Sequence, residues 1–253
     1  MVAGATDLFF DARLKIKRAN KHIEDMNSAL PALEQNYTSA IERDPNTGIQ
    51  QVTHFSSDLQ SQIQELSLIV GDIIHNLRAA LDFAWHSTVE RHHIHKSSRS
   101  HRKFPVCDNR KKLEDALHGI EIDTLHHPDL FNLLMSELQP YKGGKNGVVY
   151  TLNELDASDK HLLLLDLTPW GMIRDIVIRD KNGNISKGRG MPAPAVGRHT
   201  ISFERNITIE DKGKVSVTVT LKEAGIFHGV PISGLLPSFS KYVLHIVNLL
   251  ENL

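Results

Sequence analysis

Between residues 59 and 91 the apolar residues Ile63, Leu66, Val70, Ile73, Leu77, Ala80 and Ala84 follow one another at intervals of three and four. That period belongs to one face of an α-helix and excludes a strand, whose period is two. From Gln64 to Val89 the only charged residues are Glu65, Asp72, Arg78 and Asp82. A helix so poor in charge is covered over most of its circumference, so this segment is predicted to be the central helix of the domain. A chain of 253 residues can build a core around it without staples, since roughly 70–75% of its surface is buried at this size.

The remaining elements are read against that helix. In residues 5–34, Leu8, Ala12, Ile16, Ala19, Ile23, Met26 and Leu30 repeat the helical spacing, with Pro31 expected to end or kink the helix. Two short runs flank the turn Asp44-Pro-Asn-Thr-Gly48, which predicts a β-hairpin over about 36–55. Helices follow at about 109–119 and 128–138 and near 149–160. After His161 the stretches 199–209 and 214–221 alternate apolar with polar residues, as antiparallel strands do, and Asn182-Gly183 marks a turn. Pro237 is expected to start a last helix carrying Phe239, Val243, Ile246 and Leu250 on one face. The predicted class is α+β: a helical half with a central long helix and a small hairpin, then an antiparallel sheet capped by a C-terminal helix. The expected organisation is a helical part over 1–161 and a sheet-plus-helix part over 162–253, packed as one unit.

Composition narrows the function classes. The 29 basic and 30 acidic residues set up no global field towards nucleic acid or membrane. One cysteine, Cys107, excludes an intramolecular disulfide framework and any cysteine-based zinc site, and it reads as a small hydrophobe. No apolar run approaches the ~20 residues of a membrane span, so no membrane partner is expected. The N-terminal stretch has acids where a secretory signal needs basic and then apolar residues, so a cytoplasmic protein is expected.

Chemistry can sit on the central helix. Asp72, His75, Arg78, Asp82 and His86 fall within a sector of about 120°, stacked one turn apart. Arg with His can hold a phosphate and move a proton. Asp72 with His75, and Asp82 with His86, have spacings at which carboxylate and imidazole reach one metal, so a metal-dependent hydrolase using His75, Asp82 and His86 is an alternative. The same stripe can instead be a polar network that joins helices. Asp159 falls on the inward face of its helix and needs a partner, for which Arg78 is the candidate. From residue 91 to 112 there are eight Lys and Arg, among them Arg99, Arg102 and Lys103, against one acid, Asp108. Such a run attracts a phosphate backbone, or it is a solvated loop. His92, His93, His95 and His101 in and beside it can pick up Zn or Ni loosely. Lys142-Gly-Gly-Lys-Asn-Gly147 before a helix can cradle an anion at the helix N-terminus, although it lacks the P-loop spacing. No motif implies a cofactor.

Several of these residues form a set. Gly71-Asp-Ile-Ile-His-Asn-Leu-Arg-Ala-Ala-Leu-Asp82, Phe104-Pro105, Gln139-Pro-Tyr141 and Leu155-Asp-Ala-Ser-Asp-Lys-His161 stand in that order. They resemble a widespread family of uncharacterised bacterial proteins with GDxxHNLRSALDHL, FP, QPY and DKHR motifs. The resemblance covers about residues 10–165. That family's Arg-x4-His in turn resembles the signature of HEPN helical domains, many of them metal-independent RNases acting at a dimer interface. The resemblance implies a homodimer acting on RNA; joined to the polar stripe and the basic run, it gives a protein expected to bind RNA or a nucleotide through Arg78, with His86 or His75 as the candidate proton-transfer group and Asp82, Asp159, Arg99, Arg102 and Lys103 on the binding side. The sequence departs at Phe83, where the signature has histidine, and at Leu162, where the last motif has arginine. The implied RNase chemistry is therefore degenerate, and the rival reading is a non-catalytic interaction module.

Overall fold

The computed structural model describes residues 7–57, 59–94, 103–145, 147–162, 164–188, 190–193, 197–222 and 224–253. Helix α1 (Phe10–Glu34) and helix α2 (Gln60–Arg91) flank the hairpin of β1 (Tyr37–Arg43) and β2 (Gln50–Ser56). Short helices α3 (Arg110–His118) and α4 (Pro128–Asn132) follow, then a π-helical turn (Leu133–Leu138) and helix α5 (Val148–Leu162). The strands are β3 (Leu167–Arg174), β4 (Val177–Arg179), β5 (Ile185–Lys187), β6 (Met191–Ala193), β7 (Gly197–Ser202), β8 (Thr208–Asp211) and β9 (Lys214–Leu221). Helix α6 (Ile232–Glu251) closes the chain. The architecture is α+β with antiparallel sheets. No helix among the described residues is long and apolar enough to cross a membrane.

The charge-poor segment is the central helix. Val70, Ile73, Leu77, Ala80 and Ala84 are buried, and so are Ile74, Leu81, Trp85 and Val89 on its other flanks. Helices α1, α5 and α6 and the Phe104–Pro105 step share one core with it, which extends from Phe9 to Leu250. Ser240 on α6 donates to Asn20 Oδ1 on α1 at 2.6 Å. Arg91 donates to the Glu251 carbonyl at the end of α6 and lies over the Phe9 ring, 4.9 Å from its centroid. A guanidinium at a helix C-terminus complements the helix dipole, so Arg91 is a packing residue and not part of a basic arm.

Several boundaries differ from the sequence reading, each for a local reason. Pro31 lies inside α1 rather than at its end; in the last turn one backbone bond is lost and the helix continues. Likewise α6 starts at Ile232, not at Pro237. The predicted helix 128–138 changes to a π turn after Asn132 and ends at Gln139 in the left-handed region, φ 48°. The alternating stretch 199–209 is not one strand. It breaks at the Glu204–Ile207 turn, so β7 pairs with β2 while β8 pairs with β4. The hairpin thus becomes part of a β1-β2-β7 sheet, and the other strands form β6-β3-β9 and β5-β4-β8. Val52, Ile173, Ile176 and Ile209 make a second small core between these sheets.

His54 on β2 gives this region a pH dependence. It is 2% exposed, pairs in register with His199, and has no partner for Nε2 among the described residues. Burial, then the charges of His199 and Lys212, hold its imidazole below the ordinary histidine range. The neutral form is the one that folds. Its stability is therefore present above the unfolded pKa of about 6.5 and is lost as pH falls through the folded value. The unfolding temperature should drop between about pH 7 and about pH 5. The drop should be smaller in His54→Leu, and the remainder belongs to His92, which burial lowers in the same direction. An equal drop in the variant would remove His54 from this account.

Candidate functional site

The polar stripe of α2 does not act as one surface, because α5 and the Phe104 step cover its middle. Arg78 is 6% exposed. Its Nε donates to Asn153 Oδ1 on α5 at 3.0 Å, Nη1 to Asp82 Oδ1 at 2.5 Å, and Nη2 to the Phe104 carbonyl at 3.1 Å. Asp82 Oδ1 also accepts the Phe104 N–H at 2.8 Å. A guanidinium has five N–H donors in a fixed fork, so three of them are spent inside the protein. The buried charge is neutralised by Asp82 and ties three chain segments together.

Asp159 is not the partner of Arg78, contrary to the sequence expectation. It lies two turns away, with its carboxylate over Gly71: a Cβ built there would be 2.6 Å from Asp159 Oδ1. The partner on α5 opposite Arg78 is Asn153, and the one opposite His75 is Asp156, at 3.0 Å between Nδ1 and Oδ1. Asp156 Oδ2 also accepts from Lys160. Helices α2 and α5 therefore meet antiparallel in one register: Arg78 on Asn153, His75 on Asp156, Gly71 on Asp159. Burial, then Asp156 and Asp72, push the Asp159 carboxyl above the ordinary aspartate range, against His75 and Lys160. The signal for this register was in the sequence. Asn153, Asp156 and Asp159 are spaced three apart, as Arg78, His75 and Asp72 are when α2 is read backwards.

His86 lies elsewhere. It lines a groove of 510 Å³ with Leu8, Asp11, Phe83 and Glu90, and its Nε2 is 3.6 Å from Glu90 Oε1. Arg78 faces a different cleft of 330 Å³, whose walls include Lys103, Phe104, Val106, Leu117 and Asn153. The set His75, Asp82 and His86 does not converge either, because its members spread over about 16 Å of helix axis. Among the described residues no group of three His, Cys, Asp or Glu side chains is placed to hold a metal ion. Of the basic segment, Lys111 and Lys112 pair with Asp115 and Asp108, and Lys103 stands exposed at the cleft. Arg99, Arg102, His95 and His101 lie outside the described residues. Burial, reinforced by Asp108, raises the Cys107 thiol, which suits a packing residue. No protein-family model, curated protein or solved structure matches this chain.

The α2–α5 register gives a thermodynamic test. Ala in place of a helical Gly gains about 1 kcal/mol where there is space, but here the methyl meets the Asp159 carboxylate. Gly71→Ala should destabilise the wild type by roughly 1–3 kcal/mol. In an Asp159→Ala background the same change should stabilise by about 1 kcal/mol. Urea denaturation of the four proteins reads this reversal, and the same sign in both backgrounds would disprove the register.

Proposed function

We propose that this chain is a HEPN-like cytoplasmic protein that binds a nucleotide or an RNA end without cleaving it. The observation that carries this reading is the composition of the 330 Å³ cleft. Its wall holds Arg78, Lys103 and the Asn153 amide beside apolar Phe104, Pro105, Val106, Leu117 and Ile120, and no carboxylate among the described residues lines it. The two donors that Arg78 has not spent, with the Lys103 ammonium, suit phosphate oxygens, and the apolar wall suits a base. What supports the absence of cleavage is the placement of the proton-transfer candidates. His86 opens into the other groove, and His75, held through Nδ1 by Asp156, does not line the cleft. Metal-free cleavage of RNA needs both groups at one phosphate.

A homodimer is the second part of this proposal. Leu8, Phe10, Leu14 and Phe83 are 47%, 56%, 45% and 42% exposed near the start of α1 and the second half of α2. Apolar residues gathered in this way favour association.

Trp85 lines the cleft, and the other tryptophan, Trp170, is 57% exposed. In a Trp170→Phe protein the Trp85 emission therefore reports on the cleft. Adenosine monophosphate should change it saturably. Lys103→Ala should weaken binding roughly tenfold, about 1.4 kcal/mol, and added salt should weaken it further. A mixed RNA pool in EDTA should stay intact with the wild type and with Phe83→His, because position 83 faces the His86 groove. No emission change at millimolar nucleotide would favour the interaction-module reading, in which the Arg78 network is structural only. Cleavage by the wild type, lost in His86→Ala, would restore the RNase reading.

A further inference from the structure

Among the described residues that line the 330 Å³ cleft, Arg78 and Lys103 are cationic, whereas Asn153 is polar and neutral. An arginine only donates hydrogen bonds. The 3.0 Å bond from Arg78 Nε therefore fixes which end of the Asn153 amide faces it, namely the oxygen Oδ1. The amide nitrogen Nδ2 is turned the other way and makes no hydrogen bond to the described residues. It carries two N–H donors and cannot accept. Flipping the amide would set N–H against N–H at Arg78, so the orientation is locked.

The other polar side chains of the wall have the same character. The unspent N–H groups of Arg78 and the Lys103 ammonium donate and cannot accept. The Cys107 thiol, raised by burial, keeps its proton and is at most a weak partner. Main-chain acceptors beside the cleft are already used. The Phe104 carbonyl accepts from Arg78 Nη2, the Cys107 carbonyl from the Lys142 N–H, and the Leu117 carbonyl from the Ile120 N–H. The side chains of the cleft thus offer a ligand donors and apolar surface.

Charge sorts these donors. Arg78 and Lys103 suit the phosphate, which leaves the neutral Asn153 amide for the base. Purines differ at this point. Guanine presents O6 beside N7, two neighbouring acceptors, whereas adenine presents N7 beside the N6 amino donor. Hypoxanthine shares the O6 and N7 of guanine. Nδ2 against O6 makes a hydrogen bond. Nδ2 against N6 sets donor on donor and leaves both unpaired between apolar walls, which is unfavourable. We propose, resting on the nucleotide reading of this cleft, that it selects a 6-oxopurine nucleotide over a 6-aminopurine nucleotide, and that Asn153 sets the preference. The phosphate lies on Arg78 and Lys103, O6 and N7 face Nδ2, and the ring packs on the apolar wall.

Titration calorimetry of the full chain with guanosine, inosine and adenosine monophosphates tests this. The guanosine and inosine nucleotides should bind alike, since the guanine N2 amino group takes no part. Both should bind about tenfold more tightly than adenosine monophosphate. Asn153→Asp keeps an oxygen for Arg78 Nε and puts an acceptor where Nδ2 was. Its charge weakens all three ligands together, but the order should reverse, with adenosine monophosphate the tightest. If this variant does not fold, the wild-type order carries the test. No binding of any of the three at millimolar concentration would overturn the nucleotide reading and the selectivity with it. Adenosine monophosphate bound as tightly as the guanosine nucleotide, an inosine nucleotide bound as weakly as the adenosine one, or an unchanged order in Asn153→Asp would overturn the selectivity alone.

Discussion

A buried guanidinium must be neutralised, and the way Arg78 meets that demand organises the helical half. Burying an isolated charge is prohibitive, so its side chain needs fixed partners. Those partners come from three places in the chain: Asp82 one turn along α2, Asn153 on α5, and the carbonyl of Phe104. Asp82 then accepts the Phe104 N–H, so the Phe104–Pro105 step is held by both its donor and its acceptor. With that step fixed, Phe104 packs edge-on against Trp85, 5.9 Å between ring centroids, and the wall of the 330 Å³ cleft is set.

The same seam separates groups that the sequence places on one stripe. Angular proximity on a helix wheel does not make a site when a neighbouring helix seats itself along the stripe. Here α5 covers Arg78 and brings Asp156 to His75, while the groove holding His86 stays open on the far side. Arginine and histidine thus face different solvent spaces. A phosphate beside Arg78 would therefore lie in a different space from the His86 imidazole.

Much of the fold was legible from periodicity. The central helix was read to within a residue, because its apolar spacing and its poverty in charge agree. The hairpin was legible from Asp44-Pro-Asn-Thr-Gly48, whose Asp44 side chain accepts the Asn46 and Thr47 N–H groups. What failed depended on long-range pairing. Nothing local in residues 199–209 says that β7 joins the hairpin while β8 joins β4. At the site, charge alone points to the wrong partner for Arg78. Asp159 was chosen for its charge, whereas the antiparallel register gives Arg78 the neutral Asn153 and puts Asp159 over a glycine, where no side chain competes for the space.

The central claim is that Arg78 stabilises the fold as one member of a network with Asp82, Asn153 and the Phe104 backbone. A double-mutant cycle with Arg78→Met and Asp82→Leu, read by urea denaturation, measures it most directly. Removing Arg78 alone should lie near the lower end of the ~3–5 kcal/mol seen when a buried pair loses one partner, because the Asp82 side chain is 32% exposed. The double variant should recover part of the loss, giving a coupling of at least about 1 kcal/mol. Single variants as stable as the wild type, with additive effects, would contradict the account and leave Arg78 free to serve a ligand alone.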